Sequence, residues 1–302
     1  MIGDGMEVIS DAGSLNDAVQ RVYGSEITIL EKRPVTGGDI NEAYFLILSN
    51  GQKAFLKENT KDNAGFFKAE ASGLEALSQS GKIGVPSVHA YGTYEKKSFL
   101  LMDCLEAGRM KKSFWEDFGH SLAAVHKSSV AFLYPEKKYG FTDDNYIGAG
   151  FQKNTWNDSW IGFFRDCRIL PQLNRAKRML PAKDIARIER LMEHLDEYLI
   201  EPDQPSLLHG DLWSGNFVVG PDGKSWLIDP AAYIGNAEAD IAMTELFGGF
   251  SEAFYFAYRE SGLLQQGYED RRDIYNLYHL LNHLNSFGES YLYAVEHIIT
   301  RF

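Results

Sequence analysis

Apolar and polar positions in the first hundred residues change over in short runs. ITILEKRPV, EAYFLILS and KAFLKE are each bounded by glycine, asparagine or polar turn residues, and SVHAYGTYE and SFLLMD follow further on. These runs predict strands. From about Asn63 to Ser80, Phe66, Phe67, Ala71, Leu74 and Leu77 recur near helical spacing, and Gly81 ends the pattern ahead of Pro86. Residues 1–104 are therefore expected to form a small antiparallel sheet with one helix. Beyond Ser113 the pattern turns helical, most clearly in FWEDFGHSLAAVHKSS and DIARIERLMEHLDEYLI, so residues 105–302 are expected to be mainly α. One stretch departs from this: LLHGDLWSGNFVVGPDGKSWLIDP, where two short apolar runs flank Pro221, Asp222 and Gly223, predicts a hairpin with polar residues at both ends. The expected class is α+β, in two lobes.

Composition narrows the partners. The chain has 302 residues, 44% of them hydrophobic, enough for a large globular core. A formal net charge of −12 without a Lys/Arg-rich block argues against nucleic acid. No apolar run approaches the roughly 20 residues of a membrane span, and MIGDGMEVISDAG lacks the basic and apolar regions of a leader. The expectation is a cytoplasmic protein with no membrane partner. Cys104 and Cys167 are too few for a disulfide framework or a four-ligand zinc site, and both are expected to be ordinary buried thiols.

The chemistry concentrates in the hairpin segment. His209, Gly210, Asp211 and Asn216 form H-G-D-x-x-x-x-N, and Asp229 closes the second strand thirteen residues after Asn216. Phosphoryl transfer needs a carboxylate to orient a hydroxyl and take its proton, and oxygen ligands for magnesium. Asp211 is the candidate base; Asn216 and Asp229 are candidate ligands for Mg2+, which keeps waters and phosphate oxygens in its shell and needs few protein groups. Against a chance match stands Lys57, at the end of KAFLK, where a kinase binds the phosphates of ATP. Glu70 in the following helix is its candidate ion-pair partner, with Glu58 and Glu75 competing for that role. Gly37 and Gly38, in VTGGDINEAY, offer either a backbone cradle for phosphates or an ordinary tight turn. Asp103, Cys104 and Leu105 lie between the two halves, where backbone groups can read adenine. Asp240, in AEADIAMTEL, either holds the catalytic loop or caps its own helix, and a structural role is expected. For His126, and for His279 and His283 at i and i+4, helix packing is the default reading.

With these residues assembled, the chain resembles the fructosamine kinase (ketosamine kinase) family, a branch of the protein-kinase-like fold shared with aminoglycoside phosphotransferases and choline kinases. The resemblance runs nearly the full length. It rests on LLHGDLWSGN with IDPAAYIGNAEADIAMTELFGGF, on W-x-x-x-W-x-x-F-F from Trp156 to Phe164, on RILPQL, and on YNLYHLLNHLNSFG. It implies transfer of the γ-phosphate of ATP to a ketosamine hydroxyl, the 3-hydroxyl in the best-known members, on a free ketosamine or a glycated lysine of a protein. The implied role is repair of glycation. It also implies Asp211 as proton acceptor, Asn216 and Asp229 as metal ligands and residues 103–105 as nucleotide contacts. Trp213 is expected to line the sugar pocket, whereas Trp156 and Trp160 are expected in the core. The family often carries a cysteine in its glycine-rich loop; this chain has Gly37, Gly38, Asp39 and Ile40 there, so redox control through that loop is not expected. Two other classes stay open: a kinase of the same fold acting on an aminoglycoside, sugar or amino alcohol, and a catalytically dead nucleotide-binding scaffold.

Overall fold

A computed structural model describes residues 6–36, 41–128, 130 and 138–302. The chain forms two compact units, Met1–Lys111 with Val218–Asp229, and Lys112–Phe217 with Pro230–Phe302.

In the first unit β1 (Glu7–Ala12) and α1 (Leu15–Tyr23) precede β2 (Ile29–Val35), β3 (Glu42–Leu48) and β4 (Lys53–Thr60). Then come α2 (Ala64–Gln79), β5 (Val88–Tyr94) and β6 (Lys97–Asp103). They build a six-stranded sheet in the order β1-β5-β6-β4-β3-β2. Two features depart from the sequence reading. The β1–β5 pair is parallel, which makes the sheet mixed, and α1 is a second helix. The cap of α1 is visible in the sequence: Ser14 Oγ accepts from the Asp17 N–H at 3.1 Å, satisfying a free first-turn donor. Ala18 and Val19 of α1 pack with Ile9, Leu46, Leu56 and Leu101 on one sheet face. Strand alternation turns Lys57 the other way, toward α2.

The second unit begins with α3 (Phe114–Lys127), the hairpin β7 (Asn145–Ile147) and β8 (Gly150–Gln152), and α4 (Trp160–Phe163). Trp160 is fully buried against Phe163, Phe164 and Tyr275. A π-helical turn, Phe164–Ile169, runs into α5 (Leu170–Ala176), followed by α6 (Ala182–Glu193), α7 (Leu195–Tyr198) and β9 (Ser206–Leu208). The chain then makes the hairpin of β10 (Phe217–Val219) and β11 (Ser225–Leu227), most of which groups with the first unit. β12 (Tyr233–Gly235) returns antiparallel to β9, ahead of α8 (Glu238–Leu246), α9 (Glu252–Arg259), α10 (Tyr268–Phe287) and α11 (Leu292–Ile299). Among the described residues no helix is long and apolar enough to cross a membrane.

Candidate active site

In the first unit a buried lysine meets two carboxylates. Lys57 Nζ lies 2.6 Å from Glu70 Oε1 and also pairs with Asp229 Oδ1. The competition for Lys57 is decided by strand geometry. Glu58, the next residue of β4, faces the opposite side and is held by Lys32 at 2.7 Å and Lys97 at 2.6 Å. Glu75 accepts instead from Gln79 at 3.1 Å. Burial alone pulls the Lys57 pKa down, but Glu70 and Asp229 more than offset it and the net shift is upward, so the ammonium stays charged. Burial raises Glu70 to about 7; Lys57 opposes that rise and the Asp229 charge adds to it.

Asp229 is brought there by the β10–β11 hairpin. Trp226 lies flat against Gly84 and Gly220, where added Cβ atoms would stand 2.6 and 2.2 Å from the indole, and Leu227 N donates to Gly84 O at 2.8 Å. Two residues later Asp229 adopts φ 54°, a left-handed conformation uncommon for a non-glycine residue. Its side chain is 47% exposed, so one face remains open beside Lys57. Asp103 is committed to local structure: its carboxylate accepts from Ser87 N at 3.0 Å and lies 3.0 Å from His89 Nε2. The His89 bond is the main cause that holds its pKa below the ordinary value. Cys104 and Leu105, half-buried, follow directly. Gly37 and Gly38 lie outside the described residues.

The second unit holds the catalytic-loop candidates. Asp240, fully buried in α8, accepts from His209 N at 2.7 Å and Gly210 N at 2.8 Å, and its Oδ2 lies 3.2 Å from His126 Nε2. His126 Nδ1 is 2.7 Å from the Tyr258 hydroxyl. Asp240 thus holds the loop rather than capping its helix, and His126 belongs to a polar network rather than plain packing. Burial would raise the Asp240 pKa, but the His126 bond and the loop N–H groups outweigh it and the net shift is downward. Gly210 has φ 82°, and a Cβ there would sit 2.1 Å from Ala231 O, so glycine is required twice over. Behind it Tyr233 is stacked under the buried Arg168 guanidinium at 3.8 Å.

Within the loop, Asp211 N donates to His209 Nδ1 at 3.3 Å. Asn216 Nδ2 donates to Asp211 O at 2.8 Å and Oδ2 at 3.1 Å. Asp211 and Asn216 are therefore brought together directly. The amide nitrogen being spent on Asp211, Asn216 Oδ1 points its lone pairs elsewhere. The next residue, Phe217, anchors the loop end by packing on Phe114, Trp115, Phe118 and Phe250. Trp213 is 40% exposed and folds over Gly215, where a Cβ would stand 2.3 Å from the indole. Sequence reasoning missed the Phe217 anchor; its signal was the aromatic in LFGGF, Phe250, which joins the same cluster.

The candidate metal donors are hard oxygens, the side-chain amide of Asn216 in the second unit and the carboxylate of Asp229 in the first. Among the described residues no group of three or more His, Cys, Asp or Glu could hold an ion by itself. Oxygen donors of this kind suit a magnesium-like cation, which takes most of its shell from other oxygens, rather than zinc.

Comparison with known proteins bears on the chain as a whole. The family model described as fructosamine kinase matches residues 12–302. "Probable ketoamine kinase" of Synechocystis is 39% identical over 90% of this chain and 90% of its own length. "Protein-ribulosamine 3-kinase, chloroplastic" of Arabidopsis thaliana is 36% identical over 91% of this chain and 83% of its length. The crystal structure of "Putative fructosamine-3-kinase" from Haemophilus somnus superposes with a TM-score of 0.84 at 31% identity, covering 95% of this chain and 96% of that one. With that kinase fold over almost its whole length and a family match from residue 12 to its last residue, the chain belongs to the fructosamine kinase family.

Proposed function

We propose that the chain transfers the γ-phosphate of ATP to a ketosamine hydroxyl, the 3-hydroxyl of a ribulosamine or fructosamine adduct, and so serves protein deglycation. The observation that carries this reading is the intact set of Lys57, Asp211, Asn216 and Asp229 in a member of this family, each held by the partners a phosphotransferase needs. Loss of any of the four would have pointed to a dead scaffold.

Each residue has a distinct task. Lys57, kept charged by Glu70, binds phosphate oxygens. Asp229, with its open face, and Asn216, through Oδ1, hold Mg2+. When bound, that ion neutralises charge on the phosphates. Asp211, whose Oδ2 is oriented by the Asn216 amide, aligns the acceptor hydroxyl and takes its proton as the oxygen forms its bond to phosphorus and ADP leaves. The loop stays in place because Asp240 holds its backbone. Trp213 presents an exposed indole beside Asp211, suited to the apolar face of a sugar ring.

The test is ADP release with MgATP against a ribulosamine, a fructosamine, an aminoglycoside and choline, with a 3-deoxy fructosamine as control. The expected result is turnover of the ketosamines and none of the 3-deoxy compound. Turnover of the aminoglycoside or choline alone would refute the ketosamine assignment and keep the kinase.

A further inference from the structure

Beside the catalytic loop lies an aromatic cluster that the phosphoryl-transfer residues do not use. Phe247 ends α8 and is followed by Gly248 and Gly249, with φ 71° and 93°. This left-handed turn sends Phe250 onto Phe118, Phe217 and Phe254, and leaves Phe247 40% exposed. Gly249 lies directly on the loop: an added Cβ would be 2.6 Å from Ser214 Cβ, and Ser214 is three residues from Asp211. The Phe247 ring is 4.8 Å from the imidazole of His283 in α10, and Phe287 and Tyr291 flank that imidazole at 5.4 and 5.0 Å. Phe287 is 58% exposed, so the cluster is open on one side.

The imidazole at its centre has a defined polarity. His283 Nδ1 is 2.8 Å from His279 O, so this nitrogen carries the proton and donates it. Nε2 is then an acceptor, and it has no hydrogen-bond partner among the described residues. Burial pulls the ring's pKa down against the effect of the His279 bond, which keeps the imidazole neutral. Aromatic faces carry negative potential, Glu289 stands exposed at the start of the turn that bears Tyr291, and among the described residues no Lys or Arg is paired with a ring of the cluster. Such a surface suits a group that is cationic, donates an N–H, and carries methylenes.

The ketosamine has one such group, the protonated secondary amine joining the sugar to its aminoalkyl arm. We propose that Phe247, His283, Phe287 and Tyr291 form the subsite for that arm, with His283 Nε2 accepting an ammonium N–H while the ring faces meet the charge and the methylenes. This rests on the ketosamine reading above. It makes the chain selective for the amine as well as the sugar, and it accounts for aromatic side chains left open next to a catalytic loop.

The experiment compares two ligands on the full chain: a fructosamine made from an Nα-blocked lysine, and 1-deoxyfructose, the same sugar without the amine. Variants are Phe287→Ala, which removes an exposed ring, His283→Leu, which removes the acceptor, and His283→Gln, which restores one near Nε2. The expected KM for the fructosamine rises about tenfold in Phe287→Ala and His283→Leu, with kcat and the KM for ATP nearly unchanged and most of the loss recovered in His283→Gln. The KM or inhibition constant of 1-deoxyfructose should not move. Equal losses for both ligands, or no loss for the fructosamine, would overturn the subsite and leave the kinase assignment standing. A wild-type enzyme inert toward fructosamines would overturn the ketosamine reading and the subsite with it.

Discussion

Replacing Asp240 by asparagine removes one charge and almost no volume, yet the geometry predicts a large effect. Its two oxygens serve different backbone donors, Gly210 N on Oδ1 and His209 N on Oδ2, with His126 sharing the latter. Whichever way an asparagine amide turns, one of these buried N–H groups faces an NH2. An unsatisfied buried donor costs about 1–3 kcal/mol, and losing the charge on the remaining bond adds about 1 kcal/mol. A total of roughly 2–4 kcal/mol corresponds to a fall in Tm of about 5–15 °C for a unit of this size. The loop that carries Asp211 is the part released, so kcat should fall more than about tenfold at an unchanged KM for ATP, the signature of a lost transition-state interaction. Differential scanning calorimetry and steady-state ADP release read the two effects separately. An Asp240→Asn enzyme with wild-type Tm and kcat would refute the claim that this carboxylate fixes the loop.

Other predictions bear on the remaining parts. Lys57→Ala should reduce kcat/KM for ATP by about a hundredfold or more, because it removes the phosphate-binding charge and leaves Glu70 and Asp229 facing each other unpaired; ATP-dependence curves read the loss. Glu70 has a folded-state pKa raised from 4.5 to about 7, so its protonated form favours the fold: that contribution is complete below about 4.5 and is lost as pH rises through about 7. Glu70→Gln should therefore flatten the dependence of the denaturation midpoint on pH between about 4.5 and 7, and parallel profiles for the two proteins would contradict the assignment. Gly210→Ala should abolish turnover and destabilise the second unit, since its Cβ would stand 2.1 Å from Ala231 O, whereas Gly51→Ala, at φ 83° with nothing within 4 Å, should cost only about 1–2 kcal/mol. Urea denaturation of both separates steric exclusion from backbone strain.

What the sequence made legible follows from how each signal is written. Strands β2–β6 and the β10–β11 hairpin were visible because apolar runs meet turn residues at short range. The H-G-D-x-x-x-x-N spacing carried the loop because residues five apart on one turn meet without help from the rest of the fold, as the Asn216–Asp211 bond illustrates. β1 escaped because only Ile9 and Ala12 of EVISDA are buried, too few for an alternation to show, and α1 because it is nine residues long with only Ala18 and Val19 buried. The Glu70, Glu58 and Glu75 ambiguity needed the face of β4 to resolve it. Asp240 and His126 lie in helices far apart along the chain, so their joint hold on the loop exists only once those helices are packed. Likewise, i and i+4 spacing of His279 and His283 said nothing of the rings that gather around the second of them.

The most direct test of the account is single-turnover phosphoryl transfer from MgATP to a fructosamine by wild type and Asp211→Asn, with nucleotide affinity measured on both. The account predicts transfer slowed by about 10²–10⁴ in the variant at unchanged nucleotide affinity, because only the proton acceptor has been removed. Transfer at the wild-type rate in Asp211→Asn would contradict it.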